Sequence, residues 1–230
     1  MTDRKSSIHI EISNILEECG KGDYIFRGEE KDFGEVSSNL YRSYGQSHSF
    51  SALHLEKDTV ENAKRHFRPS TSNIEILTEL QHHGGKTALI DFTRNIYIAL
   101  FFACDEELDM ESSDGRIICL DLKNMKRRGE IDYGKKEDYK EDAWIVPAGK
   151  DPRVVFQSSV FVHAPKGYIS SKYKTIVIKQ ELKSKFLDYL DRYFNITRES
   201  IYNDIHGFIK HYRPPAYEYG SAEQMQLDPD

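Results

Sequence analysis

A short apolar strand followed by an apolar helix limits, more than any other feature, what this chain can fold into. Residues 87–92 form a short apolar run that predicts a strand. Thr93 or Asn95 can cap the following helix, Ile96–Cys104, which is apolar almost all round. A helix without a polar face is central and buried. We therefore expect the other elements to be arranged around it.

Apolar periodicity predicts further helices and strands on both sides of this pair. Helices are predicted at residues 8–19, 51–68, 73–82, 182–194 and 200–212, and strands at residues 24–28, 115–122, 154–163 and 174–178. Residues 29–47 and 123–150 are polar or charged and are predicted to be irregular. The mixture predicts an α+β fold in which small, twisted, mostly antiparallel sheets are flanked by helices.

The length of the chain indicates one domain. We place it at residues 1–212 of the 230, and residues 213–230 are predicted to be a loosely held tail with few apolar anchors. No apolar run approaches the roughly 20 residues of a membrane span, and the N-terminus lacks the apolar core of a secretory signal. Three cysteines without CxxC spacing fit a reducing environment. We expect a cytoplasmic protein that does not enter membranes.

The charge and the missing motifs narrow the function. A formal net charge of -6 gives no overall basic excess of the kind that proteins coating duplex nucleic acid carry. Lysines and arginines cluster at residues 64–68 and 123–128, as solvated surfaces or as local binding patches. The sequence contains no P-loop, GxGxxG, GxSxG or HExxH motif. The common ATP-binding, Rossmann, hydrolase and metalloprotease functions therefore lose support.

One arginine lies within an apolar predicted strand. Arg27 stands between Phe26 and Gly28, and a buried guanidinium needs a partner because an isolated buried charge is costly. The partner is either a ligand phosphate or carboxylate, which arginine binds in a bidentate manner, or a structural carboxylate such as that of Asp91. Gly28 would let a ligand approach the backbone closely.

Residues 81–87, QHHGGKT, place two histidines at a helix end before a diglycine turn. A metal site is disfavoured because no third His or Cys lies at ligand spacing. His82 is predicted to act as an acid–base or hydrogen-bonding group, since histidine titrates near neutrality, or else simply to pack. Thr87 closes this segment and is a candidate ligand-binding residue.

Two further pairs of polar residues interrupt apolar segments. Asp91 and Thr93 lie where a strand passes into a helix, and such junctions expose backbone N–H groups that suit anionic or ribose ligands. Helix capping explains Thr93 but not Asp91. Arg153 and Gln157 are four residues apart on the predicted strand RVVFQSSVFVH, so they are expected on the same face. That face lines a pocket or meets solvent.

Taken together, these segments resemble the FRG domain. The name-giving motif is Phe26-Arg27-Gly28, and SNLYR at residues 38–42 is similar to the family's L-x-R segment. Residues 80–104, LQHHGGKTALIDFTRNIYIALFFAC, resemble the central motif QHYGLPTRLLDWTxNPxxALFFA, and PRVVFQSSVFVH resembles the later R-x-x-x-Q-x-G-x-F segment. The chain departs from the pattern at His83, Gly85, Lys86 and Ala88, and at Ser159 or its neighbour.

The same pattern looks like the arginine-type ADP-ribosyltransferases, which implies an ADP-ribosyltransferase-like fold. There, an aromatic-Arg-Gly strand grips NAD, as Arg27 and its neighbours would here. A second strand ending in Ser or Thr, followed by an apolar helix, supports the nicotinamide ribose, as Thr93 and Ile96–Cys104 would. The catalytic glutamate of those enzymes has its nearest counterpart in Gln157, with Glu181 as a fallback.

The resemblance implies an enzyme that takes NAD as substrate and modifies a macromolecule, either single-stranded nucleic acid, such as RNA, or protein. The implied NAD-binding residues are Arg27, Gly28, Thr87, Thr93 and Arg153. The implied catalytic residues are His82, Asp91 and Gln157, with no metal. A bacterial toxin or phage-defence effector, with an antitoxin as a partner, is the implied setting. The alternatives are a non-catalytic module that binds nucleotide or nucleic acid, and a structural partner domain.

Overall fold

A computed structural model of the chain describes residues 3–20, 22–106, 113–135, 140–147 and 152–203. These residues form a mixed α/β structure around one seven-stranded sheet. The strands are β1 Tyr24–Glu29, β2 Leu89–Thr93, β3 Gly115–Asp121, β4 Lys126–Arg127, β5 Ala143–Ile145, β6 Ser159–His163 and β7 Lys174–Ile178. Their order across the sheet is β4-β5-β6-β2-β1-β3-β7.

Eight α-helices are described. They are α1 Asp3–Cys19, α2 Asn39–Tyr44, α3 Ala52–Ala63, α4 Asn73–His82, α5 Ile96–Cys104, α6 Pro152–Phe156, α7 Gln180–Phe194 and α8 Arg198–Ile201. A 3-10 turn, Lys64–His66, follows α3 directly. Polar side chains begin several of these helices: Ser72 and Glu75 form a capping box on α4, and Asn95 accepts from the amide of Tyr97 at the start of α5.

The sheet consists of two halves that meet at β1 and β2. β1 pairs with β3 along its whole length, from Tyr24 with Asp121 to Glu29 with Arg116. Within the described residues, β1 pairs with β2 only where Phe26 meets Thr93. The β1-β3-β7 half and the β2-β6-β5-β4 half therefore part beyond this one contact. Pairing is antiparallel throughout the described strands except between β4 and β5.

Side-chain alternation along β1 divides the core between the two faces of the sheet. Phe26 points to the face covered by α1, α5 and α7, where it joins one apolar cluster. Ile25 points to the opposite face and a second cluster with Ile90 and Ile118. A third cluster, which includes Phe161 of β6, packs α3 and α4 against the other half of the sheet. As its composition predicts, α5 is buried, and it packs against β1, β3 and α7.

Two strand glycines bring the backbone of α5 into direct contact with the sheet. A Cβ atom on Gly28 would lie 1.8 Å from the carbonyl oxygen of Ala99. A Cβ on Gly115, in the neighbouring strand, would lie 2.1 Å from the carbonyl oxygen of Ala103. Neither strand position can carry a side chain while the helix keeps this place.

The predicted class, a mixture of helices and mostly antiparallel strands, is confirmed, although the strands form one sheet rather than several. Two segments predicted to be irregular hold regular elements: residues 29–47 contain α2, and residues 123–150 contain β4 and β5. The predicted helix at residues 200–212 ends at Ile201, because Tyr202 caps α8. Residues 204–212 and the predicted tail, residues 213–230, lie outside the described residues. None of the described helices combines the length and hydropathy needed to cross a bilayer.

The prediction of one strand across Arg153 and Gln157 is wrong. Residues Pro152–Phe156 form the short helix α6, and the strand begins only at Ser159. Pro152 stands at the first helical position, where the fixed φ of proline and its missing N–H are tolerated. The two polar residues therefore do not share a strand face.

Candidate functional site

A cavity opens where β1 and β2 part, beside the pair of Phe26 and Thr93. Its volume of about 270 Å³ is just below the usual range of small-molecule sites, roughly 300–1,000 Å³. The polar lining residues are Arg27, Gln81, His82, Asp91, Thr93, Gln157 and Ser159. The aromatic lining residues are Phe26, Phe92, Phe102 and Phe161. Convergent polar groups on an aromatic wall are the usual composition of a ligand site.

The Arg27 guanidinium spans the opening between the two halves of the sheet. Its Nε donates to Oε1 of Glu29 at 2.8 Å, and its Nη1 donates to the backbone carbonyl of Asp91 at 3.0 Å. The side chain is 20% exposed, so it lies neither on the outer surface nor sealed within the core. Among the described residues its other N–H groups meet no acceptor. The guanidinium is thus held in place while it keeps donors for a ligand.

Glu29 holds Arg27 in this position and is itself held from behind. Its carboxylate is 6% exposed and also pairs with Arg116 at 2.6 Å. Arg116 in turn pairs with Asp32 and donates to the carbonyl oxygen of Gly34. Arg27 and Arg116 therefore share one buried carboxylate. Each guanidinium has a partner, but the single negative charge of Glu29 does not completely neutralise the more exposed one, Arg27.

Asp91 is oriented by a chain of hydrogen bonds that begins behind the cavity. Its Oδ2 accepts from the side-chain amide of Gln81 at 3.1 Å. Oε1 of Gln81 accepts from the hydroxyl of Thr87 at 2.5 Å, and the backbone amide of Thr87 donates to Asn39 at 2.9 Å. The bond from Thr87 fixes the side-chain oxygen of Gln81. The side-chain nitrogen of Gln81 therefore faces Asp91 and donates to its carboxylate.

Gln157 closes the cavity from the β6 side. Its side-chain amide donates to the carbonyl of Ile201 at 3.0 Å, and its backbone carbonyl accepts from the hydroxyl of Thr93 at 2.6 Å. Ser158, the next residue, has φ of 48°, a left-handed conformation that non-glycine residues rarely adopt. This backbone bend, between α6 and β6, places both Gln157 and Ser159 on the cavity wall. Backbone strain of this kind clusters at functional sites.

His82 reaches the cavity from the last turn of α4. Its ring is half-buried and lies 6.3 Å, between centroids, from the ring of Phe161. The neighbouring His83 is exposed and pairs with Glu79 on the surface of the same helix. The two adjacent histidines therefore lie in different environments, His82 at the cavity and His83 on the surface. Within the described residues no group of three or more His, Cys, Asp and Glu side chains is placed to hold a metal ion.

A second arginine, Arg42, lies within electrostatic reach of the cavity. It belongs to the last turn of α2, in the SNLYR segment, and donates to the backbone carbonyl of Ser37. Loss of hydration and the positive charge of Arg27 lower the pKa of Arg42, and the carboxylates of Glu29 and Asp91 oppose that shift. Arg42 and Arg27 therefore repel each other at this edge of the cavity, and the carboxylates of Glu29 and Asp91 offset part of that repulsion.

The structure brings six of the eight predicted site residues to one cavity. They are Arg27, Gly28, His82, Asp91, Thr93 and Gln157. Thr87 is fully buried behind the lining and acts on the cavity through Gln81. The side chain of Arg153 lies outside the described residues.

Two sequence interpretations of this region change. Arg27 was expected to pair with a ligand or with a structural carboxylate such as that of Asp91; it pairs with the structural carboxylate of Glu29 and with only the backbone carbonyl of Asp91. Gly28 was interpreted as making room for a ligand, but the space beside its Cα is filled by α5. Glu29 and Gln81 were missed as site residues. Glu29 was recognisable, because residues two apart on a strand share a face and it follows Arg27 by two.

Residues 22–112 match the family model of the FRG domain. The matched stretch contains β1, β2 and α5, and with them most of the cavity lining, whereas Gln157 lies beyond it. No curated protein and no solved structure matches this chain.

Proposed function

We propose that this protein is an ADP-ribosyltransferase that takes NAD as its substrate and modifies a macromolecule, either nucleic acid or protein. One observation carries the proposal. Arg27 is held by two hydrogen bonds in the opening between the halves of the sheet, with free donors facing a cavity that also contains Asp91, His82 and Gln157. These side chains are distant in sequence, and the sheet brings them together.

The cavity suits part of a dinucleotide. Arginine binds phosphate with a planar set of donors, and the free N–H groups of Arg27 are available for a pyrophosphate oxygen. Aromatic rings of Phe92 and Phe102 offer surfaces for the nicotinamide ring. A volume of about 270 Å³ fits the nicotinamide riboside portion, so the adenosine half would extend outside. The hydroxyl of Thr93 and the amide of Gln157 lie on the wall that the ribose would meet.

The chemistry follows from charge. The bond between nicotinamide and ribose breaks, nicotinamide leaves as a neutral base with the bonding electrons, and C1′ of the ribose becomes cationic. A nucleophile of the acceptor then forms the new bond to C1′, and its proton passes to a base. Asp91 is the carboxylate among the described lining residues, so it is the group that stabilises the cation or takes the proton.

Among the described residues that line this cavity, none supplies a carboxylate in place of the late glutamate of the arginine-type enzymes. Gln157 is the nearest candidate counterpart, and Glu181 lies exposed in the first turn of α7, away from the lining residues. A neutral amide can accept a hydrogen bond from a ribose hydroxyl through Oε1. It cannot supply charge, so Asp91 is the group that does so.

The test is transfer of label from NAD. Purified protein is incubated with NAD labelled on the adenosine side and with RNA, DNA or cell lysate, and the label on each macromolecule is counted. The wild-type protein should label one class, and Asp91→Asn or Arg27→Lys should lose at least about tenfold, the effect of about 1.4 kcal/mol in the transition state. Arg68→Lys, an exposed arginine away from the cavity, is the matched control. Equal labelling by all four proteins contradicts the assignment of the site.

A non-catalytic module that binds nucleotide or nucleic acid is the second candidate. The uncharged Gln157 favours it, because the position lacks the carboxylate that turnover is expected to need. Calorimetry with NAD, together with an assay for free nicotinamide, separates the two functions. Binding that depends on Arg27, without nicotinamide release and without labelled product, supports the second candidate.

A further inference from the structure

Two buried cysteines from distant parts of the chain lie in contact on the covered face of the sheet. Sγ of Cys19, the last residue of α1, is 3.8 Å from Sγ of Cys119 in the middle of β3. Both thiols are reduced in the structure. The third cysteine, Cys104 in α5, is also buried and forms no such contact. The contact is therefore specific to Cys19 and Cys119, and burial in the core does not by itself bring two cysteines together.

The two thiols differ in their readiness to ionise. The hydrogen bond with Cys119 lowers the pKa of Cys19, and Lys174 adds to this effect, while burial and Glu18 oppose it. The same hydrogen bond and burial raise the pKa of Cys119. Burial raises the pKa of Cys104 to about 12, with Asp105 and Glu106 adding to the rise and Lys183 opposing it. Cys19 is thus the nucleophilic member of the pair, because the thiolate is the reactive form.

We propose that Cys19 and Cys119 form an oxidative modification site that peroxides convert to a disulfide. The Cys19 thiolate attacks a peroxide oxygen, the O–O bond breaks, and Cys19 becomes a sulfenic acid while hydroxide leaves. The sulfur of Cys119 then attacks the sulfur of Cys19, the S–O bond breaks, and the Cys119 proton leaves with the oxygen as water. Two thiols and one hydrogen peroxide give one disulfide and two waters. This inference does not depend on the proposed transferase function.

Little movement separates the reduced pair from the bond. The sulfur atoms must close from 3.8 Å to about 2.0 Å, which rotation of the two side chains can provide in part. Cys19 keeps 7% of its surface exposed and ends its helix beside the exposed Gly20, so we place the route of a small oxidant at the helix end. The bond would close a loop of 100 residues and tie α1 to the strand whose Cys119 pairs with Phe26 of β1.

Peptide mapping tests the bond directly. The full-length protein is treated with a small excess of hydrogen peroxide, alkylated under native and then denaturing conditions, digested and examined by mass spectrometry. The expected product is a peptide linked through Cys19 and Cys119, with Cys104 alkylated only after denaturation. Oxidation should also raise Tm by roughly 5–15 °C, since a long closed loop restricts the unfolded chain. The linked peptide should form equally in Cys104→Ser.

Three free thiols after oxidation, a sulfinic acid on Cys19 without the linked peptide, or a bond between chains would each overturn the proposal. The rate supplies a second measurement. At pH 7 peroxide should consume Cys19 at least several times more slowly in Cys119→Ala, because the hydrogen bond that favours the thiolate is gone. Circular dichroism checks that this variant is folded. An unchanged rate in the folded variant contradicts the role given to Cys119.

Discussion

At the scale of single residues, the carboxylate of Glu29 is the buried anion that two arginines near the cavity share. It pairs with both Arg27 and Arg116, and its side chain is 6% exposed. Removing it leaves two guanidinium groups without their shared partner, one of them nearly buried. We expect Glu29→Ala to lower the free energy of unfolding by about 3–5 kcal/mol, measured by urea denaturation.

Asp32 supplies the control for this prediction. It also pairs with Arg116, but its side chain is 74% exposed. Solvent screens such a pair, so Asp32→Ala should cost no more than about 1 kcal/mol. Equal losses in the two variants would mean that burial of Glu29 does not decide its contribution.

Ser158 stores backbone strain at the cavity. Its φ of 48° brings the Cβ of an ordinary residue close to the following carbonyl, whereas glycine avoids that clash. Ser158→Gly should therefore raise the free energy of unfolding by about 0.5–1 kcal/mol. Ser159→Gly, one position later in the regular strand β6, should lower it by a similar amount. If the urea midpoints of both variants move in the same direction, this account is contradicted.

At the scale of elements, the contact of α5 with β1 depends on a missing side chain. A Cβ on Gly28 would meet the backbone of Ala99 at 1.8 Å and that of Ala103 at 2.8 Å. Backbone atoms of a central helix cannot move aside locally, so Gly28→Ala should cost about 3 kcal/mol or more. Gly129→Ala, where nothing lies within 4 Å of the added carbon, should stay within about 0.5 kcal/mol. Thermal unfolding of the two variants provides the comparison.

Elements with a strong, local pattern were predictable from the sequence, and elements set by tertiary contacts were not. The all-apolar Ile96–Cys104 segment indicated a buried helix because no other surroundings suit it. The run of residues 153–156, RVVF, favoured a strand by its β-branched residues. It nevertheless forms α6, which packs on α8 and β6. Local preference in so short a segment is weak, and packing overrides it.

The same limit applies to the candidate site. Arg27 and Asp91 stood out because charged residues interrupt apolar strands, and both line the cavity. Thr87 and Gly28 were also singled out, but the sequence did not give the direction in which each faces. Thr87 faces Gln81, and Gly28 faces α5. Residue type predicts what a position can do, whereas the partner across the sheet decides what it does.

At the scale of the whole molecule, the described strands of the two halves of the sheet pair at one position, Phe26 with Thr93, and the cavity lies beside that contact. A ligand in the cavity would touch Arg27 on one half and Asp91 and Gln157 on the other. It would therefore join the halves, and its binding energy would appear as stability of the entire fold. This connects the proposed NAD site to a measurement that needs no acceptor and no turnover.

We expect NAD to raise Tm in proportion to its occupancy of the cavity. At a hundredfold excess over Kd, a ligand bound only by the folded state adds about 2.7 kcal/mol, which for a chain of this size corresponds to roughly 5–10 °C. Arg27→Lys should abolish the shift, because a lysine cannot keep the bonds to Glu29 and the Asp91 carbonyl and still bind a phosphate. Arg68→Lys should retain it. Hydrogen exchange should slow in both β1 and β2 when NAD binds, since the ligand contacts both strands; slowing in one half alone would place the ligand elsewhere.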